Sequence, residues 1–273
     1  MLSILIVSQI IKERKDMNTK IELTTKVASL NVWTAKSRDK HFQAIREPLI
    51  KKFIEQNIPF SIGVQECEPF WQERLDEILK GYKRAQNVTT TKNYIYYRED
   101  RLKDVNQGVF WLSETSDIPS KGFGSDYFIS CCWAIFESID NGIRFVHMNT
   151  HLDVHSEEIR LKELDVLFEH MNQFKEQGYA IILTGDFNSL EDTETYRKMK
   201  SWGLTDVRFL LDTLNTEGTF NRYDKNIEKY YGPIDYIMVF GKIKVEDYYI
   251  VDKIDNNYLS DHNAIISKIN INN

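Results

Sequence analysis

Acidic, amide and imidazole side chains that could carry chemistry occur in six separate segments of the chain. Five segments contribute Asn31, Glu66, His151, Asp186 with Asn188, and Asp261 with His262. The sixth contributes Asp235, inside the apolar run "IDYIMVF". Carboxylates and imidazoles accept and donate protons, while amides and carboxylates form directed hydrogen bonds or bind cations. We therefore expect acid–base chemistry if the fold brings these residues together.

Most of these residues stand at or just after an apolar stretch that is typical of a strand. In "AIILTGDFNSLEDT", three apolar residues, 181–183, precede Asp186 and Asn188. The stretches "KVASLNVW" and "FSIGVQE" lead to Asn31 and Glu66 in the same way. Because sites in layered sheets collect at strand ends, the pattern predicts that these side chains meet at one edge.

Each residue taken alone also has a purely structural interpretation. Asn31 can end a strand, Glu66 can cap the helix that follows it, and a lone His151 can be an interior hydrogen-bonding group. The letters "GDFN" are typical of a turn, "SDH" can cap a loop, and Asp235 can pair with a surface lysine. Their coincidence in one chain favours a functional site.

The elements that must position these residues alternate between helix and strand patterns. Apolar spacing predicts helices over residues 42–56, 68–82, 156–178 and about 193–202. Strands rich in aromatic and β-branched residues fill the middle of the chain, with a hairpin turn at Asn141-Gly142. Because each half contributes strands and helices, the order predicts an α/β layered sandwich of two packed sheets with helices outside.

Length and composition indicate one globular domain. The chain has 273 residues, of which 42% are hydrophobic and 28% charged, without a repeat or a low-complexity linker. We predict an irregular extension over residues 1–20 and a single domain over residues 21–273. The apolar N-terminus is too short to span a membrane and lacks a charged segment and a cleavage site. A cytoplasmic location is therefore expected, with a weak secretion signal as the alternative.

The net charge of -6 disfavours tight sequence-independent binding of nucleic acid, because such proteins neutralise phosphates with basic side chains. A nuclease remains compatible, since a metal ion can supply positive charge where the reaction occurs. The chain has no polybasic run or long hydrophobic hairpin. We therefore expect no stable membrane association, and we predict a monomer.

Five motifs, in this order and spacing, resemble those of the endonuclease/exonuclease/phosphatase superfamily: "VQE", "NTHLD", "LTGDFN", "IDYI" and "LSDH". The likeness runs from about Val27 to Lys268. The segments "GVFWLSET", "THLD" through Arg160, and "GTF" resemble a bacterial-type branch related to deadenylase-like members. The resemblance implies a four-layer α/β sandwich, with two packed central sheets flanked by helices, and divalent-metal hydrolysis of a phosphoester.

The resemblance also implies which residues bind the metal. Glu66 would be the main ligand of Mg²⁺, a hard cation that prefers oxygen ligands, and Mn²⁺ is the alternative ion. Asn31 and Asp261 would hold the same ion directly or through water. The metal would polarise the phosphoryl oxygens.

The remaining candidates receive catalytic roles by the same resemblance. Asp186 would orient or deprotonate the attacking water, and Asn188 would hold the metal-bound oxygens and the phosphate. His262 and His151 would donate to the nonbridging oxygens as charge builds. Asp235 would orient His262 and favour its protonated form.

Substrate contacts are predicted at several aromatic positions. Tyr97 and Arg98 stand where the family has a tyrosine and a basic residue, so Tyr97 could face the phosphate; an aromatic on a strand face is the alternative. Trp33, Phe110 and Trp111 could line a groove and stack on a base, although aromatics at strand spacing are commonly core residues.

Four positions depart from the pattern of the branch. Residues 89–92 replace its Gly-Glu pair, Ile129 replaces an arginine, Val154 replaces a histidine (with His155 one place further), and Asn221 replaces another histidine. By resemblance these positions face the substrate, whereas the metal and phosphate residues are intact. We therefore expect an altered or narrowed substrate range.

Three functions follow in order of preference. The first is a Mg²⁺-dependent nuclease or phosphodiesterase that cleaves nucleic acid or nucleotides by in-line attack of an activated water. The second is a phosphatase that acts on a small soluble phosphate or a lipid headgroup. The third is a non-catalytic binding protein, which is disfavoured because Glu66, Asp186, Asp261 and His262 are all present.

Overall fold

The computed structural model describes residues 22–34, 40–86, 88, 90–212, 214–215, 217–223 and 232–272, with residues 40–43 described for the backbone only. The extension predicted over residues 1–20 lies outside this range.

Strands are the most abundant regular element in the described residues. In chain order they are β1 (Glu22–Asn31), β2 (Ser61–Gln65), β3 (Tyr82–Arg84), β4 (Tyr94–Arg98), β5 (Leu102–Trp111), β6 (Ser130–Ser138), β7 (Arg144–His151), β8 (Ala180–Asp186), β9 (Thr205–Asp206), β10 (Asp235–Phe240), β11 (Ile243–Val251), β12 (Lys253–Ile254), β13 (Asn257–Tyr258) and β14 (Ala264–Asn272). Within the described residues they make two six-stranded sheets, ordered β11-β14-β1-β2-β4-β3 and β5-β6-β7-β8-β10-β9, and the hairpin β12-β13.

Four α-helices in the described residues flank the two sheets: α1 (Lys40–Asn57), α2 (Pro69–Ile78), α3 (Glu157–Glu176) and α4 (Glu194–Trp202). The Ser156 hydroxyl caps α3 by accepting the N–H of Ile159, and Gly178 follows the helix with a left-handed φ of 81°. A 3-10 helix follows β9 at Val207–Leu210. None of the described helices combines the length and apolar character that crossing a membrane requires.

The alternation of side chains along the central strands explains the four layers. Val27 of β1 faces the core between the two sheets, whereas Ala28 packs with the side chains of α1 and α2. In β8, Ile182 faces the same inter-sheet core, whereas Ile181 and Leu183 pack against α3 and α4. Strands that are buried on both faces read as continuous apolar runs, as "AIIL" does. The predicted α/β sandwich is confirmed.

Strand pairing brings the polar residues to one end of the sandwich. The parallel pairs β1-β2 and β7-β8 set Asn31 beside Gln65 and His151 beside Asp186. The antiparallel pair β8-β10 sets Asp186 opposite Asp235, because β10 begins where β8 ends. Six segments that are distant in sequence therefore converge across the ends of both sheets.

Candidate active site

Asp186 lies at the centre of the polar cluster, buried to all but 1% of its surface. One carboxylate oxygen, Oδ1, accepts the backbone N–H of Asn188 at 3.0 Å. The other oxygen, Oδ2, accepts the Nδ2 amide hydrogen of Asn31 at 3.0 Å. The same oxygen lies 3.4 Å from His151 Nε2 and 3.6 Å from His262 Nε2. Asp186 therefore connects groups from both sheets.

His262 and Asp235 form a buried pair next to Asp186. His262 Nδ1 lies 2.9 Å from Asp235 Oδ2, so the imidazole has a fixed orientation. Burial lowers the pKa of His262, but the carboxylates of Asp235 and Asp186 raise it more, to about 10. The ring is therefore a cation at neutral pH, with Nε2 directed toward Asp186 and Nδ1 toward Asp235.

Two backbone contacts hold this pair in place. The Thr219 hydroxyl accepts the backbone N–H of Asp235 at 3.1 Å. Phe220, the next residue, forms an isolated antiparallel bridge with His262, and their rings lie 4.8 Å apart. The short segment "GTF" thus supports both members of the ion pair.

Asn188 positions His151 at the opposite side of Asp186. Its amide nitrogen lies 3.0 Å from His151 Nε2 and donates to the carbonyl oxygen of Leu152 at 2.9 Å. The backbone of Asn188 has a φ of +47°, in the left-handed region that asparagine tolerates better than most residues. The turn that follows β8 therefore carries out two tasks: its N–H caps Asp186, and its side chain orients a histidine.

Glu66 is held by two donors from the segment at the end of β1. Its Oε1 accepts the Nδ2 hydrogen of Asn31 at 3.1 Å, and its Oε2 accepts the backbone N–H of Thr34 at 2.7 Å. The Thr34 hydroxyl also donates to the carbonyl oxygen of Glu66. Glu66 has a φ of +55°, a strained conformation for a residue with a long side chain. The alternative role as a helix cap does not apply, because Glu68 is the residue that precedes α2.

Asp261 supplies a second acid beside Glu66. Burial, with a smaller contribution from the Glu66 charge, raises the pKa of Asp261 to about 6, although His262, the Ser260 hydroxyl and Arg46 oppose the shift. Its side chain accepts a hydrogen bond from the Ser260 hydroxyl at 3.1 Å. A hard divalent cation would stabilise the charged form of Asp261, because it offsets both the burial of this acid and the repulsion from Glu66.

Two groups of acids could therefore hold a metal ion. The first is Glu66 with Asp261, next to the Asn31 amide. The second is Asp186, Asp235 and His262, whose ligand atoms all lie within 4.8 Å of one another. In the second group a protonated imidazole already offsets the charge of one of the two carboxylates, and an imidazolium has no free lone pair for a metal. The donor chemistry thus fits a cation better at Glu66 and Asp261.

Three of the proposed substrate residues do not join the cluster. Tyr97 pairs with Ser61, at the end of β2 remote from Glu66, and its ring packs on Phe136 at 4.9 Å in the inter-sheet core. Arg98, the next residue, pairs with Asp100. Trp111 is 7% exposed and offers no open stacking face. The direction of β4, antiparallel to β2, carries Tyr97 away from the site.

Sequence reasoning missed two residues that support the cluster. Thr34 lies three residues after Asn31 and had no motif to identify it. Arg46 of α1 is fully buried, and its guanidinium donates to the carbonyl oxygens of Val32 at 2.7 Å and Trp33 at 3.2 Å. Arg46 lies in the apolar stripe of the helix predicted over residues 42–56. This position could have identified it, because a buried arginine requires partners.

The residues at the four positions that depart from the branch pattern lie in different environments. Asn221 is buried and donates through its side chain to Asn263 Oδ1 at 2.6 Å, and its backbone N–H donates to the Asp261 carbonyl at 2.7 Å. Lys92 pairs with Glu68 at 2.7 Å. Ile129 packs against the helix side of the second sheet, and Val154 is half exposed.

Comparisons with known proteins identify the family that the sequence motifs resemble. The model of the "Endonuclease/Exonuclease/phosphatase family" matches residues 28–262. A protein of Acanthamoeba polyphaga mimivirus, "Uncharacterized protein L388", is 28% identical over 200 residues, which are 66% of this chain and 68% of the viral one.

Solved structures resemble the whole described fold. An endonuclease/exonuclease/phosphatase family protein of Bacteroides thetaiotaomicron is 27% identical, with a TM-score of 0.83 over 93% of this chain and 97% of that one. The mannosyl-6-phosphatase of the same bacterium is 28% identical, with a TM-score of 0.80 over 90% and 99%. TDP2 of D. rerio, complexed with single-strand DNA product, is 18% identical with a TM-score of 0.73 over 91% and 99%, a likeness of fold alone.

Proposed function

This chain belongs to the endonuclease/exonuclease/phosphatase family, and on that premise we propose that it is a Mg²⁺-dependent phosphodiesterase or nuclease acting on nucleotides or nucleic acid. The observation that carries the proposal is the position of Asp186. It lies between a cationic His262 on one side and, through the Asn31 amide, the acid Glu66 on the other. Asp186 can accept a proton, His262 supplies a fixed positive charge, and Glu66 can bind a metal cation. We propose that the three groups act on one phosphorus atom.

In this proposal Glu66 and Asp261 hold Mg²⁺, with Mn²⁺ as the second choice, and Asn31 assists. When bound, the metal supplies Lewis-acid polarisation of the phosphoryl oxygens and stabilises negative charge on the leaving oxygen. Thr34 fixes the Glu66 carboxylate by its backbone N–H, so the ligand is ordered before the ion binds. Pre-ordering lowers the conformational entropy lost on binding.

Asp186 acts on the attacking water. Its carboxylate is fixed at Oδ1 by the Asn188 N–H and at Oδ2 by the Asn31 amide, and the remaining lone pairs accept a water hydrogen. A water held by a carboxylate whose orientation is fixed can be aimed in line with the leaving oxygen. Phosphoryl transfer depends chiefly on such positioning and on charge stabilisation.

His262 stabilises the charge that develops on phosphorus. His262 Nε2 lies 3.6 Å from Asp186 Oδ2, and Asp235 holds His262 Nδ1. In this proposal the Nε2–H donates to the nonbridging phosphate oxygens, on which negative charge accumulates. His151, oriented by Asn188, is the second group directed at those oxygens. Asp235 acts through His262 and is a positioning residue.

A second function has support from one relative. The mannosyl-6-phosphatase of Bacteroides thetaiotaomicron shares 28% of its residues with this chain, so a phosphomonoesterase acting on a sugar phosphate is the alternative. The proposed catalytic residues would act on a monoester or a diester, because in both reactions water attacks the phosphorus atom in line with the leaving oxygen. The group attached to the phosphate distinguishes the two functions.

A metal-dependent hydrolysis screen tests the proposal. Wild type and Asp186→Asn are compared on p-nitrophenyl thymidine 5′-phosphate, single-stranded DNA, RNA and mannose 6-phosphate, with Mg²⁺ and with a chelator. We expect Mg²⁺-stimulated cleavage of the diesters that falls by at least about 100-fold in the variant. Fast hydrolysis of mannose 6-phosphate alone would select the phosphatase, and undiminished cleavage by Asp186→Asn would refute the mechanism.

A further inference from the structure

A layer of buried polar side chains lies between the two sheets, directly beneath the candidate active site. Side chains alternate along a strand, so a residue two positions before a site residue faces the same way, one layer deeper. Four polar residues from β1, β2, β7 and β8 form this layer, which we call the floor layer: Ser29, Gln65, Asn149 and Thr184. They precede, by one position for Gln65 and by two for the others, the site residues Asn31, Glu66, His151 and Asp186. None of the four exposes more than 1% of its surface.

Asn149 reaches from the second sheet to the first, and all four of its hydrogen-bonding positions are used. Its Nδ2 donates to the carbonyl oxygens of Val64 at 2.9 Å and Tyr94 at 3.0 Å, which form the last pair of the β2-β4 ladder. Its Oδ1 accepts from Gln65 Nε2 at 2.6 Å and from the Thr184 hydroxyl at 3.1 Å. One side chain of the second sheet therefore fixes the last two residues of β2 before the acid that is proposed to bind the metal.

Gln65 connects the floor layer to β1. Its Nε2 donates to Ser29 Oγ at 2.9 Å as well as to Asn149. Ser29 stands two residues before Asn31, whose amide donates across the site to Asp186. In both layers, an amide of the first sheet thus donates to a side-chain oxygen of the second.

A second branch of the network runs from the floor layer away from the site. Thr184 Oγ1 lies 2.9 Å from His147 Nε2, and His147 Nδ1 lies 3.0 Å from the Ser61 hydroxyl. Burial lowers the pKa of His147 to about 3, so its ring is neutral, with one nitrogen that donates and one that accepts. Ser61 begins β2, whereas Glu66 follows the other end of that strand. The same network therefore has one end beside the proposed metal ligand and one end remote from it.

The polar character of the floor layer points to a role in positioning. Burying these groups costs free energy that apolar side chains of the same size would not cost, and on β1 and β8 the inter-sheet core is apolar again one layer deeper. A fully hydrogen-bonded buried network, in return, makes the packing rigid and unique. Resting on the proposed function, we infer that Asn149 and Gln65 are positioning residues, which hold Glu66 in the place relative to Asp186 that the metal ion and the phosphate require.

Gln65→Met tests the inference with little change of volume. Methionine removes both amide contacts of Gln65, while Asn149 Oδ1 keeps the Thr184 hydroxyl as its donor. Titration calorimetry with Mg²⁺, on protein without substrate, measures the effect on the site. We expect the dissociation constant for Mg²⁺ to rise by about 10–100-fold, the usual effect of removing an outer partner of a metal ligand. Ser29→Ala, which removes only one contact of Gln65, should raise the constant by a smaller factor.

Ser61→Ala is the matched control. It removes one hydrogen bond from the same buried network, but at the end of β2 that is remote from the site. Urea unfolding should show that Ser61→Ala and Gln65→Met are both less stable than wild type, whereas Mg²⁺ binding weakens only in Gln65→Met. Equal weakening in Ser61→Ala would refute the inference, because any loosening of the core would then be sufficient.

Hydrolysis of p-nitrophenyl thymidine 5′-phosphate supplies a second readout. In Gln65→Met, the Mg²⁺ concentration that gives half-maximal activity should rise by the same factor as the dissociation constant. Saturating Mg²⁺ should restore most of kcat, because Glu66 is displaced in this variant but still present. Glu66→Gln lacks the carboxylate and should not be restored in this way.

The outcomes separate the inference from the proposed function. If Gln65→Met binds Mg²⁺ as wild type does, the inference is refuted while the hydrolase stands; if Gln65→Met does not fold, Ser29→Ala decides in the same way. If wild type binds Mg²⁺ but cleaves no ester, and Gln65→Met weakens the binding, the proposed function fails while the positioning role stands. If wild type binds no Mg²⁺, the inference fails together with the assignment of Glu66 as a metal ligand.

Discussion

At the scale of single residues, the site depends on side chains that have two or more partners each. The Asn31 amide nitrogen donates to Glu66 and to Asp186, so one asparagine joins the acid proposed for the metal to the acid proposed for the water. His262 contacts Asp235 and Asp186 in the same way. Replacing such a residue changes the orientation of its partners as well as removing its own group.

Removing the cationic donor is expected to impair turnover more than folding. We expect His262→Gln to lower kcat by about 10²–10⁴-fold, because an amide cannot supply the positive charge of the imidazolium in the transition state. Steady-state kinetics and thermal unfolding measure the two effects. Lys52→Gln, at an exposed ion pair with Asp255, is the control that should change neither. A fully active His262→Gln enzyme would remove His262 from the mechanism.

A buried acid outside the cluster predicts a pH dependence of stability. Glu163 of α3 is fully buried, and burial raises its pKa to about 8 from an ordinary value of 4.5. Between these values the unfolded chain loses this proton while the folded chain keeps it. The stabilising contribution is therefore complete below pH 4.5 and falls as pH rises, by at most about 1.4 kcal/mol per pH unit.

Glu163→Gln should remove this pH dependence. The amide oxygen can still accept the Asp153 N–H, which Glu163 accepts at 2.9 Å. In urea unfolding at pH 5, 6.5 and 8, we expect the variant to gain stability over wild type at each step. Glu158→Gln, an exposed position of the same helix paired with Lys162, should show no such trend. Parallel curves for wild type and Glu163→Gln would disprove the buried ionisation.

At the scale of elements, the two sheets approach closely because one of them carries a glycine at the contact. A Cβ atom on Gly63 of β2 would lie 2.1 Å from Thr184 Oγ1 and 2.5 Å from Asn149 Oδ1. Both atoms belong to a buried hydrogen-bond network: Thr184 Oγ1 lies 2.9 Å from His147 Nε2, and Asn149 Oδ1 accepts from Gln65. The neighbours therefore cannot move aside without breaking bonds.

Gly63→Ala should consequently destabilise the fold by about 1–3 kcal/mol or more, the usual cost of overpacking a core. Urea unfolding measures the loss. Gly81→Ala is a useful comparison, because its Cβ meets nothing within 4 Å and only its φ of +81° opposes the change. That variant should lose about 1 kcal/mol. Equal stability of the two variants would mean that the sheets can separate at Gly63 without cost.

At the scale of the whole molecule, the site joins the two sheets. In the first sheet Asn31 ends β1, Glu66 follows β2, and Asp261 and His262 precede β14. The second sheet contains His151, Asp186 and Asp235. The Asn31 amide donates to Glu66 and to Asp186, so it links the proposed metal ligands of the first sheet to the second sheet. Metal binding should therefore stabilise the entire fold, since a ligand that binds only the native state shifts the unfolding equilibrium.

Thermal unfolding with and without 10 mM Mg²⁺ distinguishes the two acid groups. We expect the ion to raise the melting temperature of wild type by several degrees, at about 2–4 °C per kcal/mol for a chain of this size. The rise should disappear in Glu66→Gln and Asp261→Asn and persist in Asp235→Asn. The reverse pattern would assign the metal to Asp186, Asp235 and His262.

The sequence by itself determined the layered α/β fold and the set of polar residues that meet at its edge. Both follow from local information: apolar runs mark strands buried on two faces, and the polar residue at the end of each run lies at the sheet edge. The family was evident from the same segments, because its motifs coincide with strand ends. The helix over 156–178 was equally readable, since its apolar stripe and the caps at both ends are local features.

Only the tertiary structure decided which aromatic residues border the site. Tyr97 and Trp33 look alike in sequence, each an aromatic residue in or just after a strand. The antiparallel pairing of β4 with β2 sends Tyr97 to the far end, whereas Trp33 lies past the end of β1 beside Glu66. Strand direction and register depend on the packing of residues far apart in sequence, so local pattern cannot specify them. For the same reason the buried Arg46 beneath Trp33 emerged only from the assembled fold.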